Sequence, residues 1–506
     1  MASAFLFLRP RRFGKSLFIS TLNYYFNKTY LPKYKYLFGN LQIYNDAEME
    51  KEHNTYKVLS FDFSNLDVSG DVNTFRSSLN NIINRRVKAF KKEYNANEIE
   101  INQNDSIDTL ESLFIFVNSN TQENERKIWV FIDEYNTQVN QILREEDSEL
   151  AQHLKDEKKR SNYRLFFSTL KKACSENGYM KIFITGVTPI VMNEFTSGFN
   201  IALNLTHLLS YSALCGIEKK DLERAIGSLD YKDKNKLIEI MIDNYNGYKF
   251  HPEQKEKLIN PTLANYFLTN LKRDGHPPII LLDENTSLSD NAIKLILENY
   301  TSEELVRKLI VDKTIQSEIG KNINFENIKN EESSMILFLY YLGALTHDKI
   351  DRFNKNHLTI PNEITRNEYL NEILKISHLN VLSDLEGLRK AVNNLIPNKD
   401  IKPLCQAIDK NNLSHLRFND VVHFRVMDLK AVFIFALSLT GHRKILQNEY
   451  HVKMDKLEGY LDLVLLSEEK IHIELKNITK AQLNWNVKLD WTELTQKHLD
   501  LKNKNW

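Results

Sequence analysis

The chain opens on an apolar strand-like run, residues 4–8, that passes directly into Arg9-Pro10-Arg11-Arg12-Phe13-Gly14-Lys15-Ser16 and then into a helical pattern. Phe18, Leu22, Tyr25 and Phe26 recur at the spacing of one helix face. A strand, a glycine-containing loop and a helix N-terminus in that order can wrap a phosphate in backbone N–H groups. Gly14 lets the backbone approach, Lys15 reaches the β- and γ-oxygens of ATP, and the Ser16 hydroxyl holds Mg²⁺. The general motif begins with glycine where Arg9 stands, so on the loop alone a plain strand–turn–helix is the alternative.

The run Ile128-Trp129-Val130-Phe131-Ile132-Asp133-Glu134 is a buried-type strand ending in two acids. In this Walker B arrangement Asp133 supports Mg²⁺ and Glu134 polarises an attacking water. Following a Gly-Lys-Ser loop, the pair is more specific than either part. A third strand, 181–184, ends at Thr185-Gly186-Val187-Thr188, where the Thr185 hydroxyl either senses the γ-phosphate or caps a strand end.

These runs, with 56–63 as a further strand and helical patterns between, predict an α/β fold, a parallel P-loop sheet. Residues 143–164 read as an exposed helix or loop. From 208 to 300 the pattern is helical, with 221–226, 234–244 and 287–298 as elements of a lid. Residues 301–420 read as a helical connector. A helix over 427–440 and strands at 449–453, 460–466 and 471–475 make residues 421–506 a second, small α/β domain. The resulting division is 1–207, 208–300, 301–420 and 421–506.

At 506 residues the chain is long enough for two or three domains. Lys+Arg and Asp+Glu both total 67, which excludes a global positive field for nucleic acid. Cys174, Cys215 and Cys405 form no CxxC pair, which fits a reducing compartment. The apolar runs are too short for a membrane span and no signal peptide is legible, so a cytoplasmic location is expected.

The segments Arg9 through Leu17, Phe131-Ile132-Asp133-Glu134-Tyr135, Thr185-Gly186-Val187 and Tyr245-Asn246-Gly247-Tyr248-Lys249-Phe250 followed by Asn260-Pro261 resemble the AAA-ATPase-like family of bacterial proteins with a C-terminal PD-(D/E)XK nuclease-like domain. The resemblance covers most of residues 4–270. In that family the Arg-Pro-Arg-Arg-Phe-Gly-Lys-Ser form is the usual loop. It implies ATP contacts from Arg11, Arg12, Phe13, Gly14, Lys15, Ser16, Leu17, Asp133 and Thr185, with Ser16 and Asp133 on Mg²⁺ and Glu134 catalytic. Two departures stand out: the chain begins almost on its first strand, which suggests a shortened N-terminus or a different start site, and Asn136 replaces the family's Asp.

At the C-terminal end Asp462 and the Glu474-Leu475-Lys476 run supply the acids and lysine of such a nuclease. With a four-residue turn over 467–470, Asp462 pairs across from 475, and Asp462 and Glu474 would bind a divalent ion. An ordinary Glu/Lys surface hairpin is the alternative. Tyr460 stands where relatives carry Arg, Lys430 stands for a helix Glu with Asp428 nearby, Glu449 is a further acid, and the last strand reads as incomplete. The expectation is therefore an ATPase with Mg²⁺, coupled to an output domain on DNA or RNA. A nucleotide-dependent interaction module without nuclease activity is the competing reading. No arginine finger is assignable, so monomer and oligomer both fit.

Overall fold

The computed structural model describes residues 3–69, 71–119, 127–136, 149–155, 161–176, 180–190, 201–282, 314–317, 323, 325–353, 355–366, 368, 385–411, 433, 437, 446–454, 457–465 and 471–473. The chain divides into two compact units, Met1–Tyr300 with Thr314–Tyr369, and Thr301–Lys313 with Leu370–Trp506.

In the first unit, five parallel strands form a sheet: β1 (Ala4–Leu8), β2 (Lys57–Asp62), β3 (Ile128–Asp133), β4 (Met180–Gly186) and β5 (Ala202–Asn204). Their order is β2-β3-β4-β1-β5. The chain leaves β1 for the far edge, returns through β3 to β4 beside β1, and then crosses β1 to reach β5. The direction of travel thus reverses at the β1/β4 pair, the place where open α/β sheets bind ligands at their carboxyl ends.

Helices cover both faces, as near-continuous apolar strands require. The Lys15–Phe26 helix packs Ile19, Tyr25 and Phe26 against Phe7, Trp129, Phe131 and Phe183, with Phe18 and Leu22 half-buried at the margin. On the opposite face Phe61 and Phe63 meet Phe166 edge-on, at centroid separations of 5.2 and 5.4 Å. The charge-dense stretch before Tyr163 departs from expectation. Its helix Glu149–Lys155 buries Leu150, Ala151 and Leu154. Three small or aliphatic residues in one and a half turns suffice for a short core helix, although they make a narrow stripe over the longer window.

The region expected as a lid carries the helices Lys219–Gly227, Lys234–Tyr245 and Pro261–Asp274, joined by a core that includes Leu222, Leu237, Met241, Tyr245 and Phe267. Residues 287–298 lie outside the described residues. The stretch expected as a helical connector contains the apolar helix Glu332–Tyr341 and also an antiparallel sheet of β6 (Thr314–Ser317), β7 (Thr346–Ile350) and β8 (Asn356–Thr359), in the order β6-β8-β7. These strands have four or five residues each, and their polar composition hides period-two alternation from a sequence reading.

In the second unit the helices Leu385–Asn398 and Lys402–Asn411 precede a three-stranded antiparallel sheet of β9 (Leu446–Met454), β10 (Leu457–Leu465) and β11 (Ile471–Ile473). Of the helix expected over 427–440, only residues 433 and 437 are described.

Candidate nucleotide-binding site

Because β1, β3 and β4 are parallel, their carboxyl ends lie on one edge and carry Arg9, Asp133 and Thr185 side by side. Asp133 is buried, and its Oδ1 accepts from the Thr185 hydroxyl at 2.6 Å and from the Glu134 N–H at 3.0 Å. Thr185 therefore acts through Asp133 and fixes the carboxylate's orientation. Glu134 follows in the left-handed region at φ 51°, a cost for a residue with a side chain. Its carboxylate is thereby brought to 3.5 Å from Lys15 Nζ.

Gly14 caps the Lys15–Phe26 helix at φ 82°, a conformation open to glycine without penalty. Lys15 is only 3% exposed, and its ammonium donates to the Pro10 carbonyl at 3.2 Å. A buried ammonium needs a counter-charge. Glu134 supplies it here. Ser16 opens the helix with its side chain exposed, and Leu17 is 73% exposed. Arg11 and Arg12 are exposed at the rim and have no side-chain partner among the described residues. Cys215, half-buried, lies within electrostatic reach of Arg9, Lys15 and Asp133; burial pushes its thiol up to about 11.

The rest of the loop faces inward. Phe13 is fully buried edge-on between Tyr248 and Phe250, at centroid distances of 4.9 and 5.2 Å. The Arg9 guanidinium donates to the carbonyls of Leu8 (2.8 Å), Thr206 (3.2 Å), Tyr211 (2.8 Å) and Ser212 (3.3 Å), and lies 4.0 Å from the Phe250 ring centroid. Burial lowers its pKa to about 10. Arg9 is thus a strut behind the loop, directed at protein carbonyls. Thr262 Oγ1 donates to the Arg12 carbonyl at 2.5 Å, from a helix capped by Asn260, whose Oδ1 accepts from Thr262 N at 3.0 Å. Pro261 fits the first turn of that helix.

The Tyr245–Phe250 run is consequently part of the loop's support. At Gly247 the φ is 123°, and an added Cβ would lie 1.9 Å from the Pro361 carbonyl oxygen, so only glycine fits. Lys249 exchanges hydrogen bonds with the Thr346 hydroxyl, at 2.6 Å from its N–H and 2.9 Å to its carbonyl. Asn136 also belongs to the frame. It is fully buried and donates its amide to the Thr188 carbonyl (2.5 Å) while accepting from Val187 N–H (3.2 Å). An Asp in its place could not donate to Thr188. The sequence shows only that Asn136 stands where the family carries Asp; that its amide nitrogen reaches both the carbonyl and the hydroxyl of Thr188 is a tertiary fact.

The fold thus brings together the Arg9–Ser16 loop and the Asp133-Glu134 strand end, the two segments that the sequence pattern pairs. Residues 1–196 match the family described as Predicted AAA-ATPase. This similarity supports a nucleotide-binding ATPase at a coarse level, and it spans β1 through the described end of β4. No curated protein and no solved structure matches the chain. Among the described residues no helix is long and apolar enough to cross a membrane.

The AAA-ATPase-like match does not reach the C-terminal unit. There, Asp462 lies on β10, but Glu474 and Lys476 lie outside the described residues. The hairpin register differs from expectation: Leu463 faces Ile473 and Leu465 faces Ile471. The link therefore holds five residues, 466–470, in place of four, and every cross-strand partner moves by one.

Proposed function

We propose that the first unit binds ATP at the carboxyl edge of β1, β3 and β4 and hydrolyses its γ-phosphate. The observation that carries this reading is the Lys15–Glu134 pair at 3.5 Å beside a carboxylate, Asp133, held by Thr185. Loop amides from Phe13 to Ser16 and the Lys15 ammonium neutralise the phosphates. Arg11 and Arg12 lie at the mouth for the nucleotide's outer oxygens, and exposed Leu17 offers apolar surface to its base or ribose. The donor set fits a hard cation, with the Ser16 hydroxyl and the Asp133 carboxylate as holders. When bound, Mg²⁺ supplies charge neutralisation at the β- and γ-oxygens. Glu134 leaves Lys15 as phosphate arrives and orients the attacking water, accepting its proton at the carboxylate.

Titration of a fluorescent ATP analogue into wild type and Lys15→Ala tests this. Binding in wild type that falls roughly 100-fold or more in the variant is the expected outcome. No binding in wild type, or equal binding in both, would remove the reading.

An output on nucleic acid is the second reading. Its support is the position of Asp462 on β10, which pairs with β11, the strand that Glu474 follows in the sequence. Mg²⁺- or Mn²⁺-dependent cutting of plasmid DNA should be lost in Asp462→Ala; cutting that survives assigns the activity elsewhere.

A further inference from the structure

The same edge of the sheet carries a second polar hollow that the nucleotide reading does not use. β2 is an edge strand, and its last residue, Asp62, pairs in register with Asp133 on β3. Asp62, Asn65, Ile82, Arg85 and Arg86 line a cavity of about 160 Å³ there. Asp62 Oδ1 already accepts from the Ser64 N–H at 2.9 Å. Arg85 and Arg86 are exposed and, among the described residues, have neither a carboxylate nor a hydrogen-bond partner for their guanidiniums. Two cations therefore face one anion.

The helix that supplies them reinforces the sign. Val72–Glu93 carries Arg76, Arg85, Arg86, Lys88, Lys91 and Lys92 against Glu93 alone, in a chain of formal net charge zero. Lys88 donates to Gln103 Oε1 at 3.1 Å, and Lys91 donates to the Asn97 and Ile99 carbonyls at 2.8 and 2.7 Å. Neutral acceptors hold these ammoniums without cancelling their charge. Glu93 is engaged at the helix end, where its Oε1 accepts from Asn27 and Thr29.

We propose that this cavity is a phosphate-group site separate from the phosphate loop, with the Arg85 and Arg86 forks as its principal donors and Asn65 as a neutral one. Planar guanidiniums bind phosphate oxygens bidentately, and an unpaired pair of them beside a hollow is suited to that anion. The group comes either as free inorganic phosphate or as the phosphodiester of a single-stranded nucleic acid; the recognition chemistry is shared.

The test uses the full chain carrying Lys15→Ala, so that uptake at the phosphate loop is suppressed. Inorganic phosphate is titrated calorimetrically, and a labelled single-stranded oligonucleotide by fluorescence anisotropy. Each titration is repeated with Arg85→Gln and Arg86→Gln added together, with Asn65→Ala, and with Lys92→Gln as a charge on the same helix outside the cavity. Saturable binding of either probe, weakened roughly tenfold or more by the arginine pair and less than about twofold by Lys92→Gln, is expected. Phosphate binding alone assigns the free ion, and oligonucleotide binding assigns the strand. Binding of neither probe, or equal losses from the arginine pair and from Lys92→Gln, would overturn the proposal. Failure of wild type to bind ATP would leave these titrations unaffected, so the two readings fail separately. Matching thermal melts establish that the variants fold.

Discussion

At the Arg9–Ser16 loop, side chains from distant parts of the sequence meet at one sheet edge, and Arg9, Phe13, Lys15 and Asp133 each have a partner that fixes them. In the C-terminal hairpin, Asp462 stands on a strand whose register is one residue away from expectation. The first region is specified many times over: a parallel sheet aligns the strand ends, Phe13 and Arg9 anchor the loop from behind, and Thr185 orients Asp133. The second depends on a single turn length. A constellation built from several strand ends tolerates an error of one residue in any loop, whereas a hairpin pair does not.

The largest effect that would break this contrast concerns Phe13. Replacing it with Ala removes a buried ring shared by the loop, Tyr248 and Phe250, and should cost about 3–5 kcal/mol in a denaturant melt. A loss below 1 kcal/mol would mean that the loop and the Tyr245–Phe250 segment are as loosely joined as a surface hairpin.

A smaller effect comes from the wall behind Arg9. Burial lowers His207 to about 4 and His347 to about 3, against an ordinary value near 6.5. Above pH 6.5 both rings are neutral folded and unfolded, and they contribute no pH dependence. As pH falls below 6.5 the unfolded chain takes up protons that the folded one refuses, so stability is lost progressively down to about pH 3–4. The slope approaches about 1.4 kcal/mol per pH unit for each histidine. Chemical melts from pH 7 to pH 5 should show this loss, and His347→Phe should remove roughly half of it. A pH-independent midpoint would contradict the buried placement.

The smallest effect sharpens the role of Thr185. Thr185→Val deletes one hydrogen bond to Asp133 and should lower stability by about 1–2 kcal/mol. It should also reduce the Mg²⁺ affinity of ATP turnover while leaving nucleotide affinity within about threefold. An equal loss in nucleotide affinity would instead make Thr185 a phosphate contact.

The strand ends, the glycine, the lysine and the acid pair were legible in the sequence because each is a local pattern with a fixed period or spacing. Arg9 was not legible as a strut. Its acceptors at Thr206, Tyr211 and Ser212 lie about two hundred positions away. The partners of Asn136 were hidden for the same reason, since Val187 and Thr188 sit at the end of another strand. The Tyr245–Phe250 run was recognisable as a motif, but only the fold puts Phe13 against Tyr248 and Phe250. The short strands from 314 to 359 were missed because polar strands of four or five residues carry little periodic signal.

The central claim, that Lys15 and Glu134 act on one nucleotide, is tested most directly by Glu134→Gln. ATP affinity measured by calorimetry should be retained or tightened, because the carboxylate no longer competes for Lys15, while single-turnover hydrolysis falls roughly 100-fold or more. Unchanged hydrolysis, or loss of ATP binding in a variant with a wild-type melting curve, would contradict it.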